Sequence, residues 1–211
     1  MQKFIPLFPL RLIVFPGEDL NLHIFEPRYK QLVKECYESK KGFGIPPFMK
    51  DDIAEFGTEV EILSIEKEYP NGELDIKTSG IRVIRILEFL KDVPKKLYSA
   101  GIIAEIENIE TPDPVLRPEV KELVIKFHDL LGIKNSKFEN YDGLNSYDVG
   151  HYIGMDMDQQ YHLLSIKSEE LRQNFIYKHL RTLIPTLVET EKVKERIRAN
   201  GHFKSEKPPE F

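Results

Sequence analysis

The sequence has one cysteine and no tryptophan among its 211 residues. A single thiol, that of Cys36, cannot form an intramolecular disulfide or a cysteine-ligated zinc site, which fits a reducing compartment; we expect the cytoplasm. Long apolar runs are also absent: stretches such as 12–15 are far shorter than the roughly 18 residues that a membrane-spanning helix needs. Pro6, Pro9 and Arg11 interrupt the apolar start, so we expect no secretory signal peptide and no membrane partner.

The motifs of common catalytic and cofactor sites are missing as well. The chain has no G-x-x-x-x-G-K-[ST] or G-x-G-x-x-G phosphate loop, no H-E-x-x-H zinc motif and no G-x-S-x-G nucleophile elbow. Asp156 and Asp158 resemble the start of a calcium loop, but Gln160, Tyr161 and Lys167 stand where that loop needs acidic residues and glycine. Helix capping is the favoured interpretation of Asp156. We therefore expect no cofactor, no metal and no catalytic residue.

Charge is nearly balanced, with 30 basic and 35 acidic residues and a formal net charge of −5. This composition is typical of a globular protein, and the acidic balance disfavours nucleic acid as a partner. One basic segment, 192–204, contains Lys192, Lys194, Arg196, Arg198 and Lys204. Basic residues stabilise a helix C-terminus through its dipole, so we favour a solvated helix end here over a phosphate-binding patch.

The first half of the chain has the pattern of short strands. Asn71-Gly72 predicts a type I′ hairpin, and the change of phase at Val83/Ile84 predicts a β-bulge or a strand bend. A last strand is expected over 99–110, with Ile102, Ala104 and Ile106 inward. One helix should interrupt these strands, beginning at Pro27 and ending at Gly42, with Cys36 buried on its apolar stripe.

The character of the sequence changes at Thr111–Pro118, where three prolines in seven residues oppose both helix and sheet. We expect helices after it: one ending at Gly132, one capped by Ser146, one with a capping box at Asp156/Gln159, and a long one capped by Ser168 and kinked at Pro185. The segment 132–145 should be a flexible loop. The predicted organisation is therefore a β-rich region over 1–111, a helical region over 112–200 and a disordered tail over 201–211.

The N-terminal segments Pro6–Leu10, Val14–Gly17 and Leu20–Tyr29 resemble the hallmark of the Lon N-terminal domain family. Gly42–Gly44, Gly57-Thr58, Gly80–Ile86, Arg172 and Leu180 are similar to later segments of the family pattern, so the resemblance covers almost the whole chain. It implies an α+β fold: an N-terminal PUA-like antiparallel β-barrel with one inserted helix, followed by a C-terminal helical bundle. The hallmark positions with an expected structural role are Phe8, Pro9, Phe15, Pro16, Gly17, His23, Phe25, Glu26, Pro27, Arg28 and Tyr29.

Spacing assigns roles to several of these residues. Phe8, Phe15, Leu20, Leu22 and Ile24 have the spacing of barrel-core residues. We expect an ion pair between Glu26 and Arg28 at the junction of strand and helix, and a structural hydrogen bond rather than catalysis or metal binding for His23.

The family occurs as the substrate-binding end of Lon proteases, in eukaryotic relatives such as cereblon, and as stand-alone bacterial proteins of about this length. A complete Lon protease continues into an ATPase module and a Ser-Lys protease domain, which this chain lacks, so we expect no peptidase activity. The resemblance implies a non-catalytic polypeptide-binding module that acts as an adaptor or holdase. Its expected partners are unfolded or specific client polypeptides and an ATP-dependent protease, and we expect a monomer.

A polypeptide-binding surface is expected where apolar residues crowd a proline-interrupted stretch and meet flexible methionines. The candidate residues are Phe43, Ile45, Phe48, Met49, Met155 and Met157. The alternative is that these residues seal the two halves of the protein together. Two other functions stay open: an RNA- or small-ligand-binding module, and a hydrolase built from distant residues such as Glu26 with His23 or Asp148 with His151.

Overall fold

The computed structural model describes residues 2–133 and 145–201, with the side chains of 199–201 excepted. The loop expected at 132–145 and the tail expected at 201–211 lie almost entirely outside these residues. The strands are β1 Gln2–Pro6, β2 Asp19–Ile24, β3 Phe43–Ile45, β4 Phe48–Met49, β5 Asp52–Ile53, β6 Phe56–Glu68, β7 Leu74–Leu90 and β8 Ala100–Glu105. The helices are α1 Pro27–Ser39, α2 Leu116–Leu131, α3 Ser146–Val149, α4 Met157–Ser165 and α5 Glu169–Gly201.

Six strands form an antiparallel sheet in the order β1-β8-β7-β6-β3, and β2 also pairs with β7. Residues 7–10, which follow the edge strand β1, lie beside β3 at the opposite edge of this sheet. The Phe8 amide donates to the Gly44 carbonyl at 2.8 Å, and the Leu10 amide donates to the Pro46 carbonyl at 3.2 Å. These bonds join both ends of the sheet into a barrel. The expected α+β architecture, with an inserted helix α1 and a C-terminal helical region, is confirmed.

Helix α1 forms as the apolar spacing predicts. Pro27 occupies the first turn, and the apolar stripe that includes Leu32 and Cys36 is buried. The helix ends at Ser39, three residues before the predicted Gly42, because Lys40 adopts the left-handed conformation that terminates it. Burial raises the pKa of the Cys36 thiol to about 12, so this cysteine is an inert core residue, as expected.

The hairpin between β6 and β7 exists, but its predicted turn type is wrong. The Gly72 amide donates to the Tyr69 carbonyl at 2.8 Å, so Pro70 and Asn71 are the central residues of the turn. Gly72 has a φ of +76°, whereas a type I′ turn would require positive φ at Asn71 too, and Asn71 does not have it. Proline fixes its own φ near −65°, which selects this turn over the type I′ form.

Strand β7 carries adjacent buried residues without the expected bulge between them. Val83 and Ile84 pair in continuous register with β6, and the irregularities lie beside them, at Ile81 and Leu87. Both residues are buried because both faces of β7 are covered: Val83 faces the helices and Ile84 faces the barrel interior. On β8, Ile103 is fully buried while Ile102 and Ala104 are half-buried, so the predicted inward face of this strand is wrong, and the strand ends at Glu105.

Two main cores result. The barrel core contains Phe8 and Ile24, with Leu20 and Leu22 partly buried against it, whereas Phe15 lies in the core formed with the helices. Its ring centroid is 5.4 Å from that of Tyr147, and a Cβ on Gly150 would overlap the Phe15 ring. The helical half is therefore sealed directly onto the barrel, and the proposed division at 112 is not a gap in packing.

The N-terminal capping residues of the helices agree only partly with those predicted from the sequence. Asp156 and Gln159 form the predicted capping box of α4. Helix α3 is capped by Asn145 rather than Ser146, since the Ser146 hydroxyl donates to Glu169 at 2.9 Å. Helix α5 begins after Ser168 as expected and continues through Pro185. Among the residues that the structure describes, none of the helices combines the length and apolarity that crossing a bilayer requires.

Candidate functional site

The structure divides the six expected polypeptide-binding residues into two groups. Phe43 and Ile45 are 0% and 1% exposed in the barrel core, and Met155 is 7% exposed in the core shared with the helices. Because these three side chains are buried, we do not include them in the candidate surface. Phe48, Met49 and Met157 are half-buried and line one depression. The candidate surface is therefore centred on Phe48.

Phe48 is held on a small hairpin made of β4 and β5. The Phe48 amide donates to the Leu10 carbonyl at 2.7 Å, and Pro46-Pro47 separate β4 from β3 because proline cannot donate to a ladder. The turn residues Lys50 and Asp51 both have positive φ, +50° and +63°, as a two-residue type I′ turn requires. The Lys50 ammonium contacts the Asp158 carboxylate of α4 at 3.0 Å, which links the hairpin to the helical half.

Two depressions flank Phe48 and share it together with Arg11. The first, of about 500 Å³, lies between the hairpin and α4. Its remaining lining residues are Met49, Lys50, Asp51, Asp156, Met157 and Asp158. The second, of about 610 Å³, lies between the hairpin and the 89–99 segment, and we call it the Phe48 groove. Its lining residues are Pro9, Leu10, Arg11, Arg28, Tyr29, Phe48, Ile53, Phe89, Lys91, Asp92, Leu97 and Ser99.

The far wall of the Phe48 groove presents apolar side chains to solvent. Leu97 is 65% exposed and Phe89 is 38% exposed. The loop that carries Leu97 is fixed to α1, since the Leu97 amide donates to the Gln31 side chain at 2.8 Å. Next to it, Lys96 lies 2.6 Å from Glu35 and lowers the pKa of that carboxyl group. Leu97 is thus held in its exposed position by the contacts of its own amide and of Lys96 with α1.

Two arginines stack on aromatic rings in the wall of the same groove. The Arg11 guanidinium lies 5.6 Å from the centroid of the Phe48 ring, and that of Arg28 lies 4.6 Å from the Tyr29 ring. Arg28 also forms the predicted ion pair with Glu26, at 2.7 Å. Such cation–π contacts hold the arginine side chains beside the aromatic rings of the groove wall.

The other hallmark residues have mainly architectural contacts. The Phe8 and Tyr29 rings stack with centroids 3.7 Å apart. Gly17 has a φ of +81°, and its amide donates to the Gly80 carbonyl of β7 at 2.8 Å, which fixes the turn after Pro16. Phe25 differs from the rest because its ring is exposed and lies beside His23.

His23 makes the structural hydrogen bond that the sequence predicts. Its Nδ1 lies 2.6 Å from an Asp75 carboxylate oxygen, and the other oxygen of Asp75 accepts from the Tyr69 hydroxyl at 2.8 Å. The hydrogen bond to Asp75 raises the pKa of His23, and the same bond lowers the pKa of Asp75. Glu26 is paired with Arg28 instead, so the arrangement of Glu26 with His23 does not form.

The other pair of distant residues considered for hydrolysis is not assembled either. His151 contacts Glu18 at 3.0 Å, whereas the Asp148 carboxylate accepts from the Asn145 amide at 2.9 Å as a member of the α3 capping box. Within residues 2–133 and 145–201, the histidine, cysteine and carboxylate side chains form no cluster suited to a metal ion.

Sequence reasoning missed Arg11, Phe89 and Leu97 as members of the surface. Arg11 was visible only as an interruption of an apolar stretch, and Phe89 and Leu97 follow no periodic pattern. Closure of the barrel brings all three beside Phe48 from separate segments of the chain. No signal in the local sequence could have placed them together.

Solved structures with the same fold include two Lon N-terminal domains. The Lon N-terminal domain protein of Xanthomonas campestris is 24% identical, with a TM-score of 0.63 over 82% of this chain and 95% of that one. The N-terminal domain of the Lon protease of the Mycobacterium avium complex is 15% identical, with a TM-score of 0.68 over 85% of this chain and 98% of that one. Both likenesses concern the fold.

A curated relative and a family model extend the comparison to sequence. A LON peptidase N-terminal domain and RING finger protein of Schizosaccharomyces pombe is 28% identical over an alignment of 110 residues, and the match covers 43% of this chain and 22% of the relative. The chain thus spans about a fifth of the length of that relative. The model of the ATP-dependent protease La (LON) substrate-binding domain matches residues 5–182. With sequence and fold in agreement over most of its length, the chain belongs to the family of Lon substrate-binding domains.

Proposed function

We propose that this chain is a non-catalytic module that binds polypeptides through the surface around Phe48, and that it acts as an adaptor or holdase. The observation that carries the proposal is the apolar groove between the β4–β5 hairpin and the 89–99 segment, in a member of a substrate-binding family. Catalysis does not belong to the proposal, because the family model matched is that of the substrate-binding domain.

The groove has the properties of an adaptable apolar binding surface. Phe48 on β4, and Phe89 and Leu97 on the 89–99 segment, present large side chains, and Met49 and Met157 border the adjoining depression. Methionine side chains adapt to differently shaped partners, which suits a module that accepts varied segments. Fully burying one large apolar side chain contributes about 1.5–3 kcal/mol, so several such contacts together are needed to offset the entropy cost of association.

Replacing Phe48 with Ser tests this proposal. We expect the variant to bind a labelled, permanently unfolded polypeptide about five- to twentyfold more weakly, since a central aromatic contact is lost. The measurement is fluorescence anisotropy with purified protein, with the melting temperature recorded beside it. Phe25→Ser is the matched control, because Phe25 is also an exposed aromatic residue but lies outside the groove.

The outcomes separate binding from folding. Weaker binding by Phe48→Ser, with an unchanged melting temperature and normal binding by Phe25→Ser, supports the proposal. A lower melting temperature with unchanged binding would mean that Phe48 only seals the two halves. A labelled RNA of similar length serves as the competing ligand, and RNA binding that falls steeply with salt would favour the nucleic-acid alternative.

The remaining expectations belong to the same proposal. We propose a monomer in a reducing compartment such as the cytoplasm, which delivers client polypeptides to an ATP-dependent protease or protects them. Two facts support the link to proteolysis: one structural relative is the N-terminal domain of a Lon protease, and the matched family is named for substrate binding. Pull-down with a separately purified ATP-dependent protease, with Phe48→Ser as the comparison, measures whether the two associate.

A further inference from the structure

The Phe48 groove is cationic although the protein as a whole is acidic. Its lining includes Arg11, Arg28 and Lys91 but a single carboxylate, that of Asp92. The whole chain carries a formal net charge of −5. A local excess of positive charge around an apolar groove raises the local concentration of anionic groups. The net charge of the groove lining is therefore opposite in sign to the net charge of the whole chain.

Two of these cations are available to a ligand. Within the described ranges, neither Arg11 nor Lys91 has an ion-pair partner. Arg11 is positioned over the Phe48 ring at 5.6 Å and so lies directly beside the place where an apolar side chain would bind. Arg28 directs Nε and one terminal nitrogen to Glu26, which leaves its other terminal nitrogen for a ligand.

The depression on the other side of Phe48 has the opposite character. Three carboxylates, those of Asp51, Asp156 and Asp158, line it against the two cations Arg11 and Lys50, and Lys50 is already paired with Asp158. An acidic group would be repelled there and attracted on the Phe48 groove side. The two depressions beside Phe48 therefore favour side chains of opposite charge in a bound polypeptide.

We propose that the Phe48 groove selects polypeptide segments in which a large apolar side chain is adjacent to an Asp or Glu side chain. The apolar side chain packs on Phe48, Phe89 and Leu97, and the neighbouring carboxylate accepts hydrogen bonds from Arg11 and Lys91. This inference rests on the proposed polypeptide binding and adds the chemistry of the preferred client. Arginine is well suited to this role because its planar N–H groups match a carboxylate.

Short peptides test the selection directly. Three peptides share one central Phe and differ only in its neighbours, which are Asp, Asn or Lys, and all have acetylated and amidated ends so that no terminal charge contributes. We expect the Asp peptide to bind about three- to tenfold more tightly than the Asn peptide at about 50 mM salt. The difference should fall below about twofold at about 500 mM salt, where exposed charges are screened.

Variants assign the preference to the groove. Arg11→Gln combined with Lys91→Gln should reduce the Asp-over-Asn preference, measured as the ratio of the two affinities, to less than about twofold. Arg181→Gln is the control, because Arg181 also lies over an aromatic ring, that of Tyr177 at 5.9 Å, but outside the groove. It should keep the preference of the unmodified protein.

The failures are distinguishable. Equal binding of the Asp and Asn peptides, or a preference that survives Arg11→Gln with Lys91→Gln, overturns the charge selection while polypeptide binding stands. Tighter binding of the Lys peptide overturns it as well. Loss of binding to all three peptides and to the unfolded polypeptide overturns the proposed function and the selection together.

Discussion

Arg172 places a full positive charge in the interior of the helical half, with only 1% of its surface exposed. Its Nε donates to Glu169 at 2.9 Å, and one terminal nitrogen donates to the Ile166 carbonyl at 2.8 Å and to the Tyr147 hydroxyl at 3.1 Å. Glu169 is equally buried and also accepts from the Ser146 amide and hydroxyl. A buried ion pair is stable only when its remaining polar atoms are satisfied in this way.

Replacing Arg172 with Met should therefore destabilise the protein by about 3–5 kcal/mol, because Glu169 is left as an uncompensated buried charge. Urea unfolding followed by circular dichroism measures the loss. Arg181→Met, on the exposed face of the same helix, should change the free energy of unfolding by less than about 0.5 kcal/mol.

A second replacement identifies the cause. Adding Glu169→Leu to Arg172→Met removes the stranded carboxylate and should restore some of the lost stability. A loss of less than about 1 kcal/mol in the single Arg172→Met variant would contradict this account of the buried pair.

At the scale of elements, the β4–β5 hairpin is built with an unfavourable turn sequence. Lys50 and Asp51 both adopt the left-handed conformation, which costs an L-residue with a side chain roughly 1–2 kcal/mol. Asn-Gly is the sequence that favours this turn type. The ion pair between Lys50 and Asp158 offsets little of this conformational cost, because both charged groups are well exposed.

Lys50→Asn with Asp51→Gly should consequently stabilise the protein, by about 0.5–2 kcal/mol, when it is measured by urea unfolding. Lys50→Ala with Asp51→Ala is the matched control: it removes the same charges and keeps the strained backbone, so it should give no gain. If both pairs of substitutions have equal effects, the strain at the turn is not the cause.

Elements were predictable from the sequence where the deciding interactions are local. Helix α1 and the capping box at Asp156 depend on neighbours within one helical turn, and both are confirmed. The inward face of β8 and the turn at Asn71 were predicted wrongly. Barrel closure and the attached helices bury both sides of β7, so Val83 and Ile84 lose the alternation that a one-sided sheet produces.

The candidate site shows the same limit. The sequence grouped Phe48, Met49 and Met157 among the candidate binding residues, and in the structure their side chains line one depression. It could not separate them from Phe43, Ile45 and Met155, since apolar composition is the same for a core side chain and for a binding side chain. Tertiary packing decides which of these side chains are buried, and it also brings Arg11, Phe89 and Leu97 close to Phe48.

For the molecule as a whole, the barrel contributes residues to the hydrophobic core of the helices in addition to forming its own core. Ile13, Phe15 and Val83 of the β-rich region pack with the apolar residues of α2, α3, α4 and α5. Backbone bonds add to this contact: the Glu169 amide donates to the Ile109 carbonyl at 2.8 Å, and the Ile109 amide donates to the Lys167 carbonyl at 2.9 Å. A shared core of this kind couples the stabilities of the two regions, so neither region is expected to unfold alone.

Cooperative unfolding can be measured with one probe in each region. Far-UV circular dichroism follows the helices, and labelling of Cys36 by a thiol reagent follows the barrel core, where this single cysteine is buried. The two urea transitions should coincide, and Phe15→Ala should shift both to lower urea together, with a loss of about 3–5 kcal/mol. If Cys36 stayed protected after the helical signal was lost, the helices and the barrel would be independent units, and Phe15 would stabilise only their contact.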